Sequence, residues 1–372
     1  MQKRIRIVSI GIILVVLFIS AIILNNNTNN KHTFKKDGIL YAVSLDGKSI
    51  TSFPSKGLYK ANVSCEGADG KWLYDDWKLA IENITGDVSC DIKFETITKT
   101  YLNDYITGLA GTTQGTGQVV NENGYRYEGK NPNNYVWFNN EYWRIIGVFD
   151  SNSHGQSGKN LAKIIRADVL NGLAWSSRSP VINWSEASLN KLLNGAYYNA
   201  QDGTSSGYCY VYANTGIGNC DYTKKGIQPG YRKMIANVTW YLGDSRGGTA
   251  ENSYGNERGA TSTTGYIGLM YPSDYGYSVL SSNCARTTEL GYYSSNTCAG
   301  ASWLYGKVSE WTLSSAASAY FLAYNLSAGG AMVTSGNHIF NGLAVRPVLY
   351  LDASVYKIDG EGTLDKPYII GM

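Results

Sequence analysis

The sequence predicts an α+β fold for most of the chain, preceded by a small all-β domain and an N-terminal transmembrane helix. Three observations support this prediction: an apolar run near the N-terminus, alternating apolar residues over residues 37–98, and mixed strand and helix patterns over residues 99–372. The expected organisation is an anchor at 1–24, a polar tether at 25–36, a β spacer domain at 37–98 and an α+β domain at 99–372.

The anchor prediction rests on the run Ile7–Leu24, which is 18 residues long and carries no charge. At a rise of about 1.5 Å per residue, such a helix nearly crosses the hydrocarbon core of a bilayer. Lys3, Arg4 and Arg6 precede the run and favour a cytoplasmic N-terminus. We therefore expect a single-pass protein of the cell membrane with its C-terminal domains outside. The alternative is a cleaved signal peptide, although the run is long for one and lacks a good small-residue cleavage site.

The tether and the spacer domain follow from composition and alternation. Residues 25–36, with the sequence NNNTNNKHTFKK, are polar and show no periodicity, as in a flexible linker. Beyond them, apolar residues alternate over Ile39–Leu45, Leu58–Cys65 and Val88–Phe94, which predicts short strands. A unit of this size has a small core, so a disulfide between its two cysteines would stabilise it.

The six cysteines form three pairs of sequence neighbours: Cys65 with Cys90, Cys209 with Cys220, and Cys284 with Cys298. An even number outside a membrane span indicates disulfides in an oxidising compartment, and local pairing is the simplest connectivity. A metal site is the alternative, but there is no CxxC motif and no histidine at ligand spacing. Free structural thiols are a further alternative.

Composition excludes one class of partner and suggests another. Charged residues make up 16% of the chain, the net charge is +3 and both signs are mixed along the sequence, which argues against nucleic-acid binding. The chain holds 30 Tyr and 42 Gly. Tyrosine suits the recognition of sugars or proteins, although it also fills β-strands.

The larger domain begins with strand patterns. A helical spacing of apolar residues in TKTYLNDYITGLAG predicts a short helix near its start. The segment NNYVWFNNEYWRIIGVFD predicts two strands joined at Asn139-Asn140, and Ala162–Arg166 predicts a third.

Two longer helices follow in the prediction. NWSEASLNKLLNGAYYN offers Asn183 as N-cap with Glu186 three residues on, and YRKMIANVTWYLG carries an apolar stripe that ends at Gly243. We expect a loop over residues 243–265 and a strand over residues 266–271 that stops at Pro272.

No catalytic motif stands out. The three histidines are far apart in sequence, and there is no HExxH helix or nucleophile elbow, so no metal and no cofactor are predicted. Glu310 and Arg346, both in apolar strand patterns, are expected to pair with each other. An extracellular glycosidase would need two carboxylates, for which the loop-rich middle offers six acids: Asp244, Glu251, Glu257, Asp274, Glu289 and Glu310.

Several segments resemble a known group of proteins. Their order and spacing resemble those of an uncharacterised family of surface proteins of Gram-positive gut-type bacteria. The segments are NNYVWFNNEYWRIIGVF, NWSEASLNKLLNG, IGLMYPSDYGY and GLAVRPVLYL, in that order. The SEWT and LAVRP segments are also similar to the C-type lectin-like fold of the formylglycine-generating, sulfatase-modifying kind. The reactive cysteines of those enzymes have no counterpart here, because Cys298 precedes Glu310, so the resemblance implies a fold and no catalytic residue.

The predicted function is that of an anchored surface protein, adhesin-like and not an enzyme, which binds an extracellular glycan or protein. The candidate contacts are aromatic residues expected on exposed loops: Tyr254, Tyr275, Tyr277, Tyr292, Tyr293, Trp303 and Tyr305. The alternatives are an extracytoplasmic enzyme acting on glycans and a purely structural protein of the envelope.

Overall fold

The computed structural model describes residues 33–36, 39–177, 183–213, 215–244, 248–259, 261–316 and 321–372. The chain divides into two compact units, Met1–Lys99 and Thr100–Met372. Strands account for 40% of the residues and helices for 14%. The α+β, C-type lectin-like fold predicted from the sequence is therefore wrong in its class, because the described chain is mostly β.

The predicted anchor at 1–24 lies outside the described residues, as does most of the tether at 25–36. Within the part of the chain that the structure describes, no helix is both long enough and apolar enough to cross a bilayer. The end of the tether is not a flexible linker. Thr33–Lys36 forms a strand that pairs antiparallel with Ile39–Leu45.

The described residues of the smaller unit form strands and no helix. A five-stranded sheet has Ile39–Leu45 parallel to Ser89–Thr96, with Tyr59–Glu66 antiparallel on the other side of Ser89–Thr96. Alternation explains the burial, since Cys90, Ile92 and Phe94 face the core and their neighbours do not. The remaining strands of this unit are Lys48–Ile50, Asp69–Leu73 and Lys78–Glu82.

The larger unit is built on two sheets. One has eleven described strands, and its central pair, Glu141–Phe149 and Leu161–Arg166, is buried along nearly its whole length. Its other strands are Thr100–Tyr101, Thr113–Gln114, Thr116–Asn121, Tyr125–Asn131, Tyr135–Phe138, Ile267–Gly268, Val348–Tyr350, Tyr356–Asp359 and Tyr368–Gly371. The second sheet has five: Leu170–Ala174, Gly342–Val345, Glu310–Ser315, Leu322–Leu326 and Met332–His338. Two hairpins complete the strands, Tyr210–Tyr212 with Gly216–Ile217 and Val238–Tyr241 with Ser262–Gly265.

The helices of the described residues are short. The α-helices are Leu102–Thr107, Ser151–His154, Ser188–Leu192, Pro229–Arg232, Ala250–Glu257 and Pro272–Gly276. Single turns of other helix types are Trp184–Glu186, Leu193–Tyr197, Leu290–Tyr292 and Ala299–Ala301.

Both long helices predicted from the sequence are corrected by the structure. Asn183 does cap a turn, by accepting from Ser185 N, but Ala187 adopts an extended conformation and separates that turn from Ser188–Leu192. In the other segment, only Pro229–Arg232 is helical and Val238–Tyr241 is a strand. The β-branched and aromatic residues of the sequence VTWY favour a strand, and tertiary pairing outweighs the apolar stripe.

The predicted loop and strand before Pro272 are also corrected. Residues 243–265 contain the helix Ala250–Glu257 and the strand Ser262–Gly265. The strand expected at 266–271 is only Ile267–Gly268. Pro272 begins a helix, because a proline at the first helical position lacks only an N–H that would have no intrahelical partner.

Other predictions are confirmed. Tyr135–Phe138 and Glu141–Phe149 form a hairpin in which Asn139 and Asn140 have φ of 57° and 59°, as its tight turn requires. The third strand is Leu161–Arg166. The cysteines form disulfides, Cys65–Cys90, Cys209–Cys220 and Cys284–Cys298, which are the three sequence-local pairs.

Candidate functional site

A polar cleft of about 500 Å³ opens in the larger unit, where the strand Leu161–Arg166 ends. One wall is formed by residues 166–171, which lead from this strand into Leu170–Ala174. The other wall is formed by residues 219–225, which include Cys220 of the second disulfide. The lining residues are Arg166, Asp168, Val169, Leu170, Asn171, Asn219, Asp221, Tyr222, Thr223, Lys224 and Lys225.

Arg166 holds the first wall in place. Its Nη2 and Nε donate to Oε2 of Glu141 at 2.6 and 2.9 Å. Its Nη1 donates to the carbonyl oxygens of Asp168 and Val169 at 3.0 and 3.2 Å. The guanidinium charge is thus neutralised by Glu141 while its remaining donors fix the backbone of the wall, so we assign Arg166 a positioning role.

The second wall is a local turn next to a disulfide. Oδ1 of Asp221 accepts from the backbone N and from Oγ1 of Thr223, at 3.0 and 2.6 Å. These two hydrogen bonds hold the pKa of the Asp221 carboxyl below its usual value. Directly before this turn, Cys220 accepts a backbone hydrogen bond from Gly203 N at 2.9 Å and is joined to Cys209. The wall therefore keeps its shape through local contacts.

Tyr222 is the aromatic residue that lines the cleft, and we call its buried ring the floor. Tyr222 is 4% exposed, and its ring lies 5.3 Å from the ring of Tyr197, nearly perpendicular to it. Burial raises the pKa of both tyrosines, so both hydroxyls are neutral at physiological pH. The hydroxyl of Tyr197 is buried and has no hydrogen-bond partner among the described residues. A buried hydroxyl without a partner is uncommon in folded proteins, which marks the packing behind the floor as unusual.

The remaining polar groups of the cleft face solvent. Asp168, Asn171, Asn219, Lys224 and Lys225 are all exposed, and they supply a carboxylate, two amides and two ammonium groups. Such a set offers donors and acceptors in a small space, next to an aromatic floor. This chemistry fits a ligand with several hydroxyl groups better than an apolar one.

The aromatic residues predicted as ligand contacts do not line this cleft. Four of them lie in the core. Two of these four donate hydrogen bonds within it: Tyr275 OH donates to Gly330 O at 2.6 Å, and Trp303 Nε1 donates to Tyr127 O at 2.8 Å. Their predicted exposure is wrong because these hydrogen bonds allow the rings to be buried. Tyr275, Tyr277, Tyr293 and Trp303 are the buried residues, Tyr254 and Tyr305 are half-buried, and Tyr292 is 75% exposed.

The acids considered for glycan hydrolysis are also outside the cleft. Glu310 and Arg346 form a buried ion pair, with Arg346 Nε and Nη2 donating to the carboxylate at 2.7 and 2.6 Å, so their predicted pairing is confirmed. Asp274 is buried between Lys163 and Arg126. Of the four others, Asp244 accepts a hydrogen bond from Tyr324 OH, and Glu257 accepts one from the backbone N of Ser273. Glu251 and Glu289 are exposed.

Within the described part of the chain, no group of three or more His, Cys, Asp or Glu residues could hold a metal ion.

The sequence prediction missed both walls of the cleft. One local signal was present, since the run Asn219-Cys220-Asp221-Tyr222-Thr223-Lys224-Lys225 contains a cysteine and is otherwise mostly polar, which is typical of a turn. Its partner wall lies about fifty residues earlier in the chain, and nothing in the sequence spacing brings the two together.

Comparison with known proteins found no match: no protein family, no curated protein and no solved structure is significantly similar to this chain. The resemblance to the surface-protein family therefore stays a prediction.

Proposed function

We propose that this protein is a membrane-anchored surface protein that binds a glycan in the polar cleft without catalysing a reaction. The observation that carries this proposal is the cleft itself, which is lined by exposed amide, carboxylate and ammonium groups. Sugar hydroxyls both donate and accept hydrogen bonds, so they match this mixed set of donors and acceptors. The cleft volume also falls within the usual range for small-molecule sites.

The disulfides support the surface location. Disulfides form and persist mainly in oxidising compartments, and the described cysteines are all paired. The uncharged run Ile7–Leu24, preceded by three basic residues, would supply the anchor. Fractionation of cells, with protease added to intact cells, tests this placement; recovery of the intact protein from the cytosol would contradict it.

A glycan array followed by titration calorimetry of the strongest hit tests the binding. Replacing Asn171 or Asn219 with alanine removes an amide from one wall, and we expect affinity to fall about three- to tenfold for each, the usual worth of one hydrogen bond. The control is Tyr292→Ala, at an aromatic residue outside the cleft that is 75% exposed. Unchanged affinity in both asparagine variants, or a loss confined to Tyr292→Ala, would place the ligand elsewhere.

A glycan-cleaving enzyme is the second candidate, because Asp168 and Asp221 bring two carboxylates to one cleft. A general acid must hold its proton near neutral pH, and burial is the usual means. Both carboxylates are exposed to solvent, and Asp221 has a lowered pKa, which favours binding over hydrolysis. Chromatography of a bound oligosaccharide after long incubation separates the two functions: cleavage that is lost in Asp168→Asn would favour the enzyme.

A further inference from the structure

Lys163 and Asp274 form a fully buried pair outside the cleft. Their side chains are 1% and 2% exposed, and Nζ of Lys163 lies 2.5 Å from Oδ2 of Asp274. Lys163 belongs to the central strand Leu161–Arg166, and Asp274 lies in the first turn of the helix Pro272–Gly276. The two residues are 111 positions apart in sequence. From this geometry we propose that the Lys163 amine and the Asp274 carboxyl condense into an intramolecular amide bond.

Aromatic rings enclose the amine. Nζ of Lys163 lies 4.5 Å from the ring centroid of Tyr271 and between 5.6 and 5.8 Å from those of Phe149, Trp240 and Tyr350. Burial among these rings lowers the pKa of Lys163 to about 8, although Asp274 acts in the opposite direction. The Lys163 ammonium therefore gives up its proton more readily than an exposed lysine does, and the apolar walls exclude the water that would reverse the condensation.

The contacts of Asp274 distinguish its two oxygens. Oδ1 accepts from Nη1 of Arg126 at 3.0 Å, and Arg126 is itself 1% exposed. Oδ2 accepts from the backbone N of Tyr271 at 2.9 Å and faces Lys163. Arg126 can therefore polarise the oxygen that remains and stabilise the negative charge on it during attack, while Oδ2 is the oxygen that leaves.

Glu257 can carry a proton in this step. It is fully buried, it accepts from the backbone N of Ser273 at 2.8 Å and from the Ser273 hydroxyl, and Ser273 precedes Asp274. Burial raises the pKa of Glu257 to about 7, so it exchanges protons near neutral pH. Burial also acts to raise the pKa of Asp274, but Lys163 and Arg126 together hold it low, so the pair must first pass a proton from nitrogen to oxygen.

The reaction balances without any further reactant. A proton moves from the Lys163 ammonium to Oδ2, which gives an amine and a carboxylic acid. The amine nitrogen attacks Cγ of Asp274, and the Nζ–Cγ bond forms as Oδ1 takes up the negative charge. A second proton moves from the nitrogen to the adjacent Oδ2, the Cγ–Oδ2 bond breaks, and one water molecule leaves. Close, fixed placement of the two groups replaces the activation that this condensation needs in solution.

Mass spectrometry of the full chain tests the proposal. After reduction, a tryptic digest should contain the Lys163 peptide joined to the Asp274 peptide, with a combined mass lower by one water molecule. Lys163→Arg and Asp274→Ala cannot condense. The mass of each variant should therefore differ from that of the natural chain by the mass change of the substitution plus one water molecule. Lys159→Arg, an equivalent change at an exposed lysine nearby, should leave the joined peptides unchanged.

Two further variants test the chemistry. Asp274→Asn should still form the bond, with ammonia leaving in place of water, and should give joined peptides identical in mass to those of the natural chain. Glu257→Gln should reduce the joined fraction at least tenfold, and an unchanged fraction would remove Glu257 from the mechanism. Separate, unmodified Lys163 and Asp274 peptides in the digest of the natural chain would overturn the proposal, whether or not the variants fold.

Discussion

The Glu310–Arg346 pair shows how a single buried contact affects stability. The side chains are 1% and 6% exposed, and Arg346 Nη2 also donates to Leu304 O at 2.7 Å. Removing one partner leaves the other as an uncompensated buried charge. We expect Glu310→Ala to lower the free energy of unfolding by about 3–5 kcal/mol, measured by urea denaturation.

The control for this prediction is the exposed pair Lys366–Glu361, whose side chains are 67% and 64% exposed. Water and salt screen such a pair, so Glu361→Ala should cost less than about 1 kcal/mol. Equal losses in Glu310→Ala and Glu361→Ala would contradict the expected effect of burial.

His154 makes the larger unit sensitive to acid. The ring is fully buried, and Nε2 hydrogen-bonds to Phe149 O at 3.0 Å while Nδ1 accepts from Gln156 N at 3.2 Å, so the ring is held neutral. Burial lowers its pKa. As pH falls below the ordinary histidine value of about 6.5, the unfolded chain takes up a proton before the folded chain does, and stability falls.

We therefore expect the unfolding free energy to decrease from about pH 6.5 downward, with a smaller slope in His154→Gln. Denaturation curves at half-unit pH intervals measure both slopes. The corresponding change at the half-buried His338, His338→Gln, is the control and should leave more of the slope in place. If the slope is the same in the natural chain and in His154→Gln, the acid sensitivity arises from other groups.

The roles of individual residues were predictable from the sequence in two cases: where a local conformational preference applied, and where two opposite charges lay in apolar segments. Asn139 and Asn140 tolerate positive φ, and Glu310 and Arg346 were charged residues within two otherwise apolar segments. The cleft was not predictable, because Arg166 is held in place by a tertiary contact, its ion pair with Glu141, which lies 25 residues away in sequence. The burial of Tyr275 was equally hidden, since its hydroxyl partner, Gly330 O, is 55 residues away.

At the scale of elements, the disulfide Cys209–Cys220 supports one wall of the cleft. It closes a short loop that contains the hairpin Tyr210–Tyr212 and Gly216–Ile217, and Asp221 follows it directly. Replacing both cysteines with serine should lower stability by about 2–3 kcal/mol, because the unfolded chain gains freedom. The same change should weaken glycan binding, because the wall loses its support.

The double serine variant of Cys284 and Cys298 is the control, since that disulfide closes a loop of similar length that does not line the cleft. Both variants should lose comparable stability, whereas only the first should lose affinity in calorimetric titration. A loss of affinity in both, in proportion to stability, would mean that the disulfide acts on the whole fold rather than on the wall.

Strands were easier to predict than helices in this chain. The alternation predicted over Val88–Phe94 matched the observed strand Ser89–Thr96, in which Cys90, Ile92 and Phe94 are buried, because period-two burial is a local property. The apolar stripe before Gly243 matched a helix equally well, yet Val238–Tyr241 pairs with Ser262–Gly265 instead. That partner strand lies in a segment expected to be a loop, so nothing in the sequence indicated that Val238–Tyr241 would form a strand instead of a helix.

At the scale of the whole molecule, the smaller unit has a limited core. Its buried residues form one cluster around Trp72, Ile92 and Phe94, and a unit of about 60 residues buries little apolar surface compared with the entropy that it loses on folding. The disulfide Cys65–Cys90 joins two neighbouring strands of its main sheet. We infer that this unit depends on the disulfide far more than the larger unit depends on either of its own.

Replacing Cys65 and Cys90 with serine should therefore unfold the smaller unit at physiological temperature. Hydrogen exchange followed by mass spectrometry resolves the effect by segment: amides of Tyr59–Glu66 and Ser89–Thr96 should lose their protection, because they depend on the small core. Amides of Glu141–Phe149, which lie in the core of the larger unit, should keep theirs. Retained protection of Ser89–Thr96 in the variant would contradict this prediction. It would show that the apolar cluster stabilises the fold sufficiently without the disulfide.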